Sequence, residues 1–149
     1  MIQRFQDFVG GISCCQKYIQ HIKSMEMAEF GLKGAHVMCL FYLHQNPQGL
    51  TASRLCQLCE EDKAAISRTI ASLQKDGFIA ACDKKYRALL QLTQKGQQVA
   101  QQVTQTIEQW VALAGSGLSE EDWATFYRVL NLISGNLKIN IDHNERTIN

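Results

Sequence analysis

Apolar residues recur along this chain in steps of three and four, and the breaks in that rhythm divide it into six helical stretches and two short extended segments. Phe5, Phe8, Ile12, Cys15, Ile19 and Ile22 form one stripe of a first helix, which Gly10 and Gly11 weaken locally. Gly31-Leu32-Lys33-Gly34 interrupts the pattern. Ala35 to His44 (AHVMCLFYLH) is apolar on nearly every side, so this helix is expected to be central and buried. Asn46-Pro47-Gln48-Gly49 then makes a turn.

Thr51 caps a short helix to about Cys59, with Ala52, Leu55 and Leu58 or Cys59 facing inward. Asp62 caps the next one. Ile66, Ile70 and Leu73 form its buried face, which turns Lys63, Ala64, Ser67, Arg68 and Ala71 outward. Small and hydrogen-bonding residues on an outward face suit close approach to base edges, where a merely solvated helix carries Glu and Lys. Gly77 stops that helix. Phe78 to Ala81 and Arg87 to Leu92 pair as strands across Asp83-Lys84-Lys85-Tyr86. Thr93-Gln94-Lys95-Gly96 opens a long helix with Val99, Val103, Ile107 and Trp110 on one side. Ser119-Glu120-Glu121-Asp122 is a capping box before a last helix, Asp122 to about Ile139, whose stripe is Trp123, Phe126, Leu130, Ile133 and Leu137.

Charge sharpens this outline. The whole chain carries a net charge of only +1, yet Lys63 to Lys95 holds seven basic residues against two acidic ones. Residues 97–149 hold three basic and six acidic groups, so a cationic lobe is followed by one with another task. A helix with a polar outer face, followed by a basic hairpin, is the outline of a winged helix-turn-helix that docks on duplex DNA. The fold class expected is mainly α with a small β-wing. At 149 residues it is one domain, with 31–96 as the winged lobe and with 1–30 and 97–149 as dimerisation helices. The three apolar stripes on the first, fifth and last helices exceed what the winged lobe covers, which points to a homodimer through the two chain ends, against intramolecular packing alone.

The longest apolar run, Val37 to Leu43, is far too short to span a bilayer, and the N-terminus lacks a basic-then-apolar leader pattern. A cytoplasmic protein with six reduced thiols is expected, with no membrane partner, no metal and no cofactor.

In order and spacing, four segments resemble the MarR family (multiple-antibiotic-resistance-type regulators) over nearly the whole chain. They are Leu50-Thr51 with Arg54-Leu55, Lys63 to Ile70, Leu73 with Lys75-Asp76-Gly77-Phe78-Ile79, and Leu92-Thr93-Gln94-Lys95-Gly96. The last two look like the family's Leu-x-x-x-Gly-(Leu/Phe)-Ile and Leu-Thr-x-x-Gly signatures. The resemblance implies a dimeric winged-helix repressor on a pseudo-palindromic operator, relieved by a small, often aromatic, effector. The wing departs from the pattern: a longer Asp-Arg-(Asp/Ser)-Arg type loop shrinks here to Asp83-Lys84-Lys85-Tyr86-Arg87.

On that reading Lys63, Ala64, Ser67 and Arg68 enter the major groove, where an Arg reads guanine by a bidentate hydrogen bond. Thr51, Ser53, Arg54, Lys84, Lys85 and Arg87 hold phosphates. Tyr18, His21, Met25, His36, Tyr42 and Trp110 are candidates for an effector cleft, against ordinary core packing. Cys14 and Cys15 lie roughly where peroxide-sensing members of the family carry a reactive Cys, so redox sensing competes there with plain packing. Cys56-x-x-Cys59 admits a thiol oxidoreductase. No strand precedes it and no second ligand pair completes a zinc site, which favours small buried side chains. His36 with Cys39 one turn on is a metal pair or, more simply, a satisfied core histidine. A winged-helix protein-interaction module without DNA binding is a third reading, opposed by the local positive charge.

Overall fold

The structure is a computed structural model that describes residues 1–82 and 88–148, with side chains through residue 141. Its elements are α1 (Ile2–Ala28), α2 (His36–Gln45), α3 (Ala52–Cys59), α4 (Lys63–Lys75), β1 (Ile79–Cys82), β2 (Leu89–Leu92), α5 (Gln94–Ala114) and α6 (Glu120–Ile148). They fall into two compact units, Met1–Glu108 and Gln109–Asn149. Mainly helical, with one two-stranded antiparallel sheet, the chain has the expected fold class.

The first unit is organised around α2, which buries Val37, Cys39, Leu40 and Leu43 against Leu55 of α3, Ile66 and Leu73 of α4, and Val99 and Val103 of α5. Met27, at the end of α1, is fully buried in the same core. Everything before Ile22 on α1 is exposed, and Phe5, Phe8, Ile12 and Ile19 stand out from it as a bare apolar stripe.

Local chemistry sets each helix end. Thr51 Oγ1 accepts the Arg54 N–H at 3.2 Å, and Asp62 Oδ1 accepts the Ala65 N–H at 2.7 Å, so α3 and α4 start where side-chain caps allow. Gly77 takes φ +74°, and the Phe78 and Gly77 N–H groups return to the Leu73 and Gln74 carbonyls at 2.9 and 3.1 Å. That is a Schellman stop, which needs a residue at ease in left-handed backbone. The strands pair in register Ile79 with Leu92 through Cys82 with Leu89. Leu50 adds a third, single-residue edge by exchanging both backbone hydrogen bonds with Leu90, at 3.0 and 2.8 Å.

Three expectations shift. Ala52 is exposed rather than inward, β1 begins at Ile79 and β2 at Leu89, and α6 runs to Ile148 instead of ending near Ile139. Past Ile139 the chain has no Gly or Pro to stop a helix, so the last apolar residue of the stripe is not the last helical residue.

In the second unit, Ser119 Oγ accepts the Asp122 N–H at 3.2 Å while Asp122 Oδ2 accepts the Ser119 N–H at 2.9 Å, the reciprocal pair of a capping box. Trp123 stacks on Tyr127 at 5.3 Å between centroids, and its indole lies where a Cβ on Gly115 would come within 2.6 Å of Cζ2. Phe126, Tyr127, Leu132, Leu137 and Ile139 are exposed on α6.

Candidate nucleic-acid interface

α4 separates its two faces cleanly. Ile66, Thr69, Ile70 and Leu73 are buried, while Lys63, Ala64, Ser67, Arg68 and Ala71 are exposed. The cause is the 3.6-residue period itself: once Ile66, Ile70 and Leu73 are drawn into the core, Ser67 and Arg68 have nowhere to go but out. The outer face is thus two small residues, one hydroxyl and two cations, with no carboxylate on it.

The N-terminus of α3 brings Thr51, Ala52, Ser53, Arg54 and Gln57 around an open groove of about 560 Å³, closed on its other sides by Ile70 of α4, Ala88 and Leu90. Ser53 and Arg54 are exposed, and Arg54 Nη1 donates to Gln57 Oε1 at 3.1 Å. This contact holds the guanidinium along α3, one turn in from its start. Gln57 is a groove residue that the sequence reading missed; its only signal was its place one turn after Arg54.

The wing is anchored from below by Gln91. Its Nε2 donates to the Pro47 carbonyl at 3.2 Å, and its Oε1 accepts the Cys82 S–H at 2.8 Å, tying β2 to the turn before α3 and to β1. The phosphate candidates Lys84, Lys85 and Arg87 lie outside the described residues. Lys95, which belongs to the same run of basic residues, is committed to the fold instead: Nζ donates to the Asp76 carbonyl at 2.8 Å and sits 4.1 Å over the Phe78 ring.

The other candidates are scattered. Tyr18, His21 and Met25 are exposed on α1, Tyr42 is half-buried on α2, and Trp110 belongs to the second unit. Neither the groove at α3 nor a smaller cavity beside Cys59 is lined by any of these or by His36. His36 is buried, and its Nδ1 accepts the Lys33 N–H at 2.8 Å, so it is a satisfied core histidine. Burial pushes its pKa below the ordinary imidazole value. Among the described residues no three His, Cys, Asp or Glu side chains gather into a metal site. Cys14 and Cys15 are both exposed. Cys56 and Cys59 are half-buried rather than fully buried: the Cys56 S–H donates to the Glu61 carbonyl at 3.2 Å, and Cys59 meets Cys39. No described helix is long and apolar enough to cross a membrane.

Residues 30–85 match the model of the MarR family. The fold is that of solved MarR-type regulators. A MarR family transcriptional regulator from Listeria monocytogenes, complexed with 26mer DNA, superposes with a TM-score of 0.78 at 25% identity, over 87% of each chain. A SlyA-like transcription regulator from the same organism gives 0.75 at 25% identity, over 85% of this chain and 86% of that one. A MarR protein from Peptoclostridium difficile gives 0.79 at 18% identity, over 90% and 89%. No curated protein matches in sequence.

Proposed function

We propose, from the premise that this chain is a MarR-family protein by its residues 30–85 and by its winged-helix fold, that it is a homodimeric repressor acting on double-stranded operator DNA in the cytoplasm. It is a binding protein, not an enzyme. The observation that carries this reading is the exposed α4 face of Lys63, Ala64, Ser67 and Arg68, free of carboxylates, together with exposed Ser53 and Arg54 at the start of α3. Arg68 and Ser67 read base edges in the major groove, while Thr51, Ser53 and Arg54 hold phosphates and set register. Lys84, Lys85 and Arg87 add phosphate contacts from the wing.

Dimerisation follows from apolar surface. The α1 stripe of Phe5, Phe8, Ile12 and Ile19, and separately the exposed apolar residues of α6, are more than a monomer leaves in water. A two-fold pair through the chain ends covers both and spaces two α4 helices by one turn of the duplex, roughly 34 Å. A small aromatic effector then needs to prefer the DNA-incompetent spacing by only about 1–3 kcal/mol to relieve repression.

The test is selection of duplexes from a random pool by the purified protein, followed by salt-dependent mobility shifts. A palindromic consensus whose affinity falls steeply with salt is expected, because phosphate contacts release counterions. Retention of no duplex even at low ionic strength would overturn the reading.

A further inference from the structure

Cys39, in the middle of α2, and Cys59, the last residue of α3, are 20 residues apart in sequence, and their sulfurs lie 3.9 Å from each other. Cys39 is sealed in the core, 1% exposed. Cys59 is half-buried and faces a cavity of about 160 Å³, with Gln20, Lys23, Met38, Glu61 and Thr69 around it. The remaining CxxC member, Cys56, gives its S–H to the Glu61 carbonyl oxygen.

The two neighbouring thiols are unlike. The hydrogen bond to Cys59, reinforced by burial, holds the Cys39 thiol far above the ordinary range. The same bond stabilises Cys59 as a thiolate and lowers its pKa, with help from the Lys23 charge and against burial and the Glu61 carboxylate. A thiol that ionises more readily than usual and lines a cavity, with a protonated thiol in contact behind it, is the arrangement of an attacking and a resolving cysteine.

We infer that Cys59 and Cys39 form a dithiol oxidised by hydroperoxides, with Cys59 attacking and Cys39 resolving, which closes into an intrachain disulfide between α2 and α3. In the first step the Cys59 sulfur attacks the terminal peroxide oxygen. The S–O bond forms, the O–O bond breaks, and the departing hydroxide or alkoxide takes up the proton that Cys59 had released. Cys59 is now a sulfenic acid and the peroxide is reduced to water or an alcohol. In the second step the Cys39 sulfur displaces hydroxide from Cys59. The S–S bond forms, the S–O bond breaks, and the Cys39 proton leaves with the hydroxide as water. Two thiols and one hydroperoxide thus yield one disulfide, one water and one further water or alcohol.

A disulfide brings its sulfurs to about 2.05 Å, so the bridge draws the end of α3 toward α2. That end leads directly through Glu60, held at φ 53°, to Asp62, the cap of α4. Oxidation therefore pulls on the start of the base-facing helix. This consequence rests on the DNA reading above; the thiol chemistry does not.

The experiment uses the full chain with Cys56→Ser, so that the tryptic peptide containing Cys59 has a single cysteine. It is treated with hydrogen peroxide, blocked with iodoacetamide after denaturation, and digested without reductant. The expected product is a Cys39 peptide joined to the Cys59 peptide within one protomer, released by dithiothreitol. In Cys39→Ala, dimedone should trap the sulfenic acid on Cys59. Full alkylation of Cys39 after oxidation, or bridges formed instead by Cys14, Cys15 or Cys82, overturns the inference. Reduced and oxidised protein are then compared on random duplex at low salt. A several-fold, reductant-reversible loss of affinity is expected, and equal affinity removes the coupling to α4. Failure of both forms to bind DNA defeats the DNA reading alone, because the peptide map decides the dithiol.

Discussion

Gly96, in the first turn of α5, lies against the backbone of Phe78: a Cβ at this position would collide with the Phe78 carbonyl oxygen and stand 2.9 Å from the carbonyl carbon. The same oxygen accepts the Thr93 N–H at 3.0 Å, while Thr93 Oγ1 donates to the Gly77 carbonyl at 2.7 Å and Lys95 reaches the Asp76 carbonyl. Leu92-Thr93-Gln94-Lys95-Gly96 and Lys75-Asp76-Gly77-Phe78-Ile79 are therefore two halves of one joint. It fixes the end of α4 to the start of α5, and with it the base of the wing.

Gly96→Ala should destabilise the protein even though Ala is the better helix former by roughly 1 kcal/mol. The obstacle is a backbone carbonyl that cannot withdraw without giving up its Thr93 bond. A net loss of about 1–3 kcal/mol is expected, the usual cost of forcing an extra carbon into a filled space. It should appear as a lower urea midpoint at unchanged slope, followed by far-UV circular dichroism. An unchanged or higher midpoint would mean that the joint is looser than this geometry.

Arg68→Ala and Arg54→Ala should fail in different ways. Arg68 stands on the exposed face of α4, and its loss should remove discrimination at one base pair of each half-site, worth about 1–3 kcal/mol, with non-specific affinity much less affected. Arg54 lies on the groove at α3, and its loss should weaken every sequence alike and reduce the salt slope by about one counterion per half-site. Competition shifts with operator and random duplex over a salt series separate the two. Equal selectivity with and without the Arg68 side chain would remove it from base readout.

How much of this was legible in the sequence depends on range. The faces of α4 could be read because three branched apolar residues at helical spacing fix which way Ser67 and Arg68 point. Thr51, Asp62, Gly77 and Ser119 could be read because caps and stops act within a turn of themselves. What could not be read was pairing across the chain. Leu50 gives no sign that it will exchange hydrogen bonds with Leu90, 40 residues on. Cys39 and Cys59 are brought together only because α2 and α3 pack against each other. Ala52 went astray since a small residue at a helix start carries too little apolar area to dictate its own orientation.

His36 gives the protein a pH limit on its acid side. Its imidazole is buried, and protonating Nδ1 would break the bond from the Lys33 N–H. The unfolded chain takes up this proton near the ordinary value of 6.5, while the folded chain resists it to a lower pH. The stabilisation is thus fully present above 6.5 and is lost as the pH falls from there toward the folded value. Urea midpoints measured between neutral and mildly acidic pH should decline in wild type. The decline should be smaller in His36→Gln, which keeps an acceptor for Lys33 but has nothing to titrate. Parallel declines in the two proteins would assign the acid sensitivity elsewhere.

Ile12→Glu tests whether the bare stripe on α1 is an interface. Ile12 is 42% exposed in the single chain, so a carboxylate there costs the isolated protomer little. If a two-fold partner covers the stripe, the same carboxylate is pushed out of water without a counter-charge, at several kcal/mol per protomer. Sedimentation should then show wild type as a dimer and Ile12→Glu as a monomer with wild-type helicity. Operator affinity should fall by orders of magnitude, since a lone protomer engages one half-site and loses the effective concentration that the second contributes. Gln6→Glu adds the same charge at a polar position on the opposite side of α1 and should change neither property. A dimer that survives Ile12→Glu with full operator affinity would move the interface off α1 and leave its apolar stripe to some other partner.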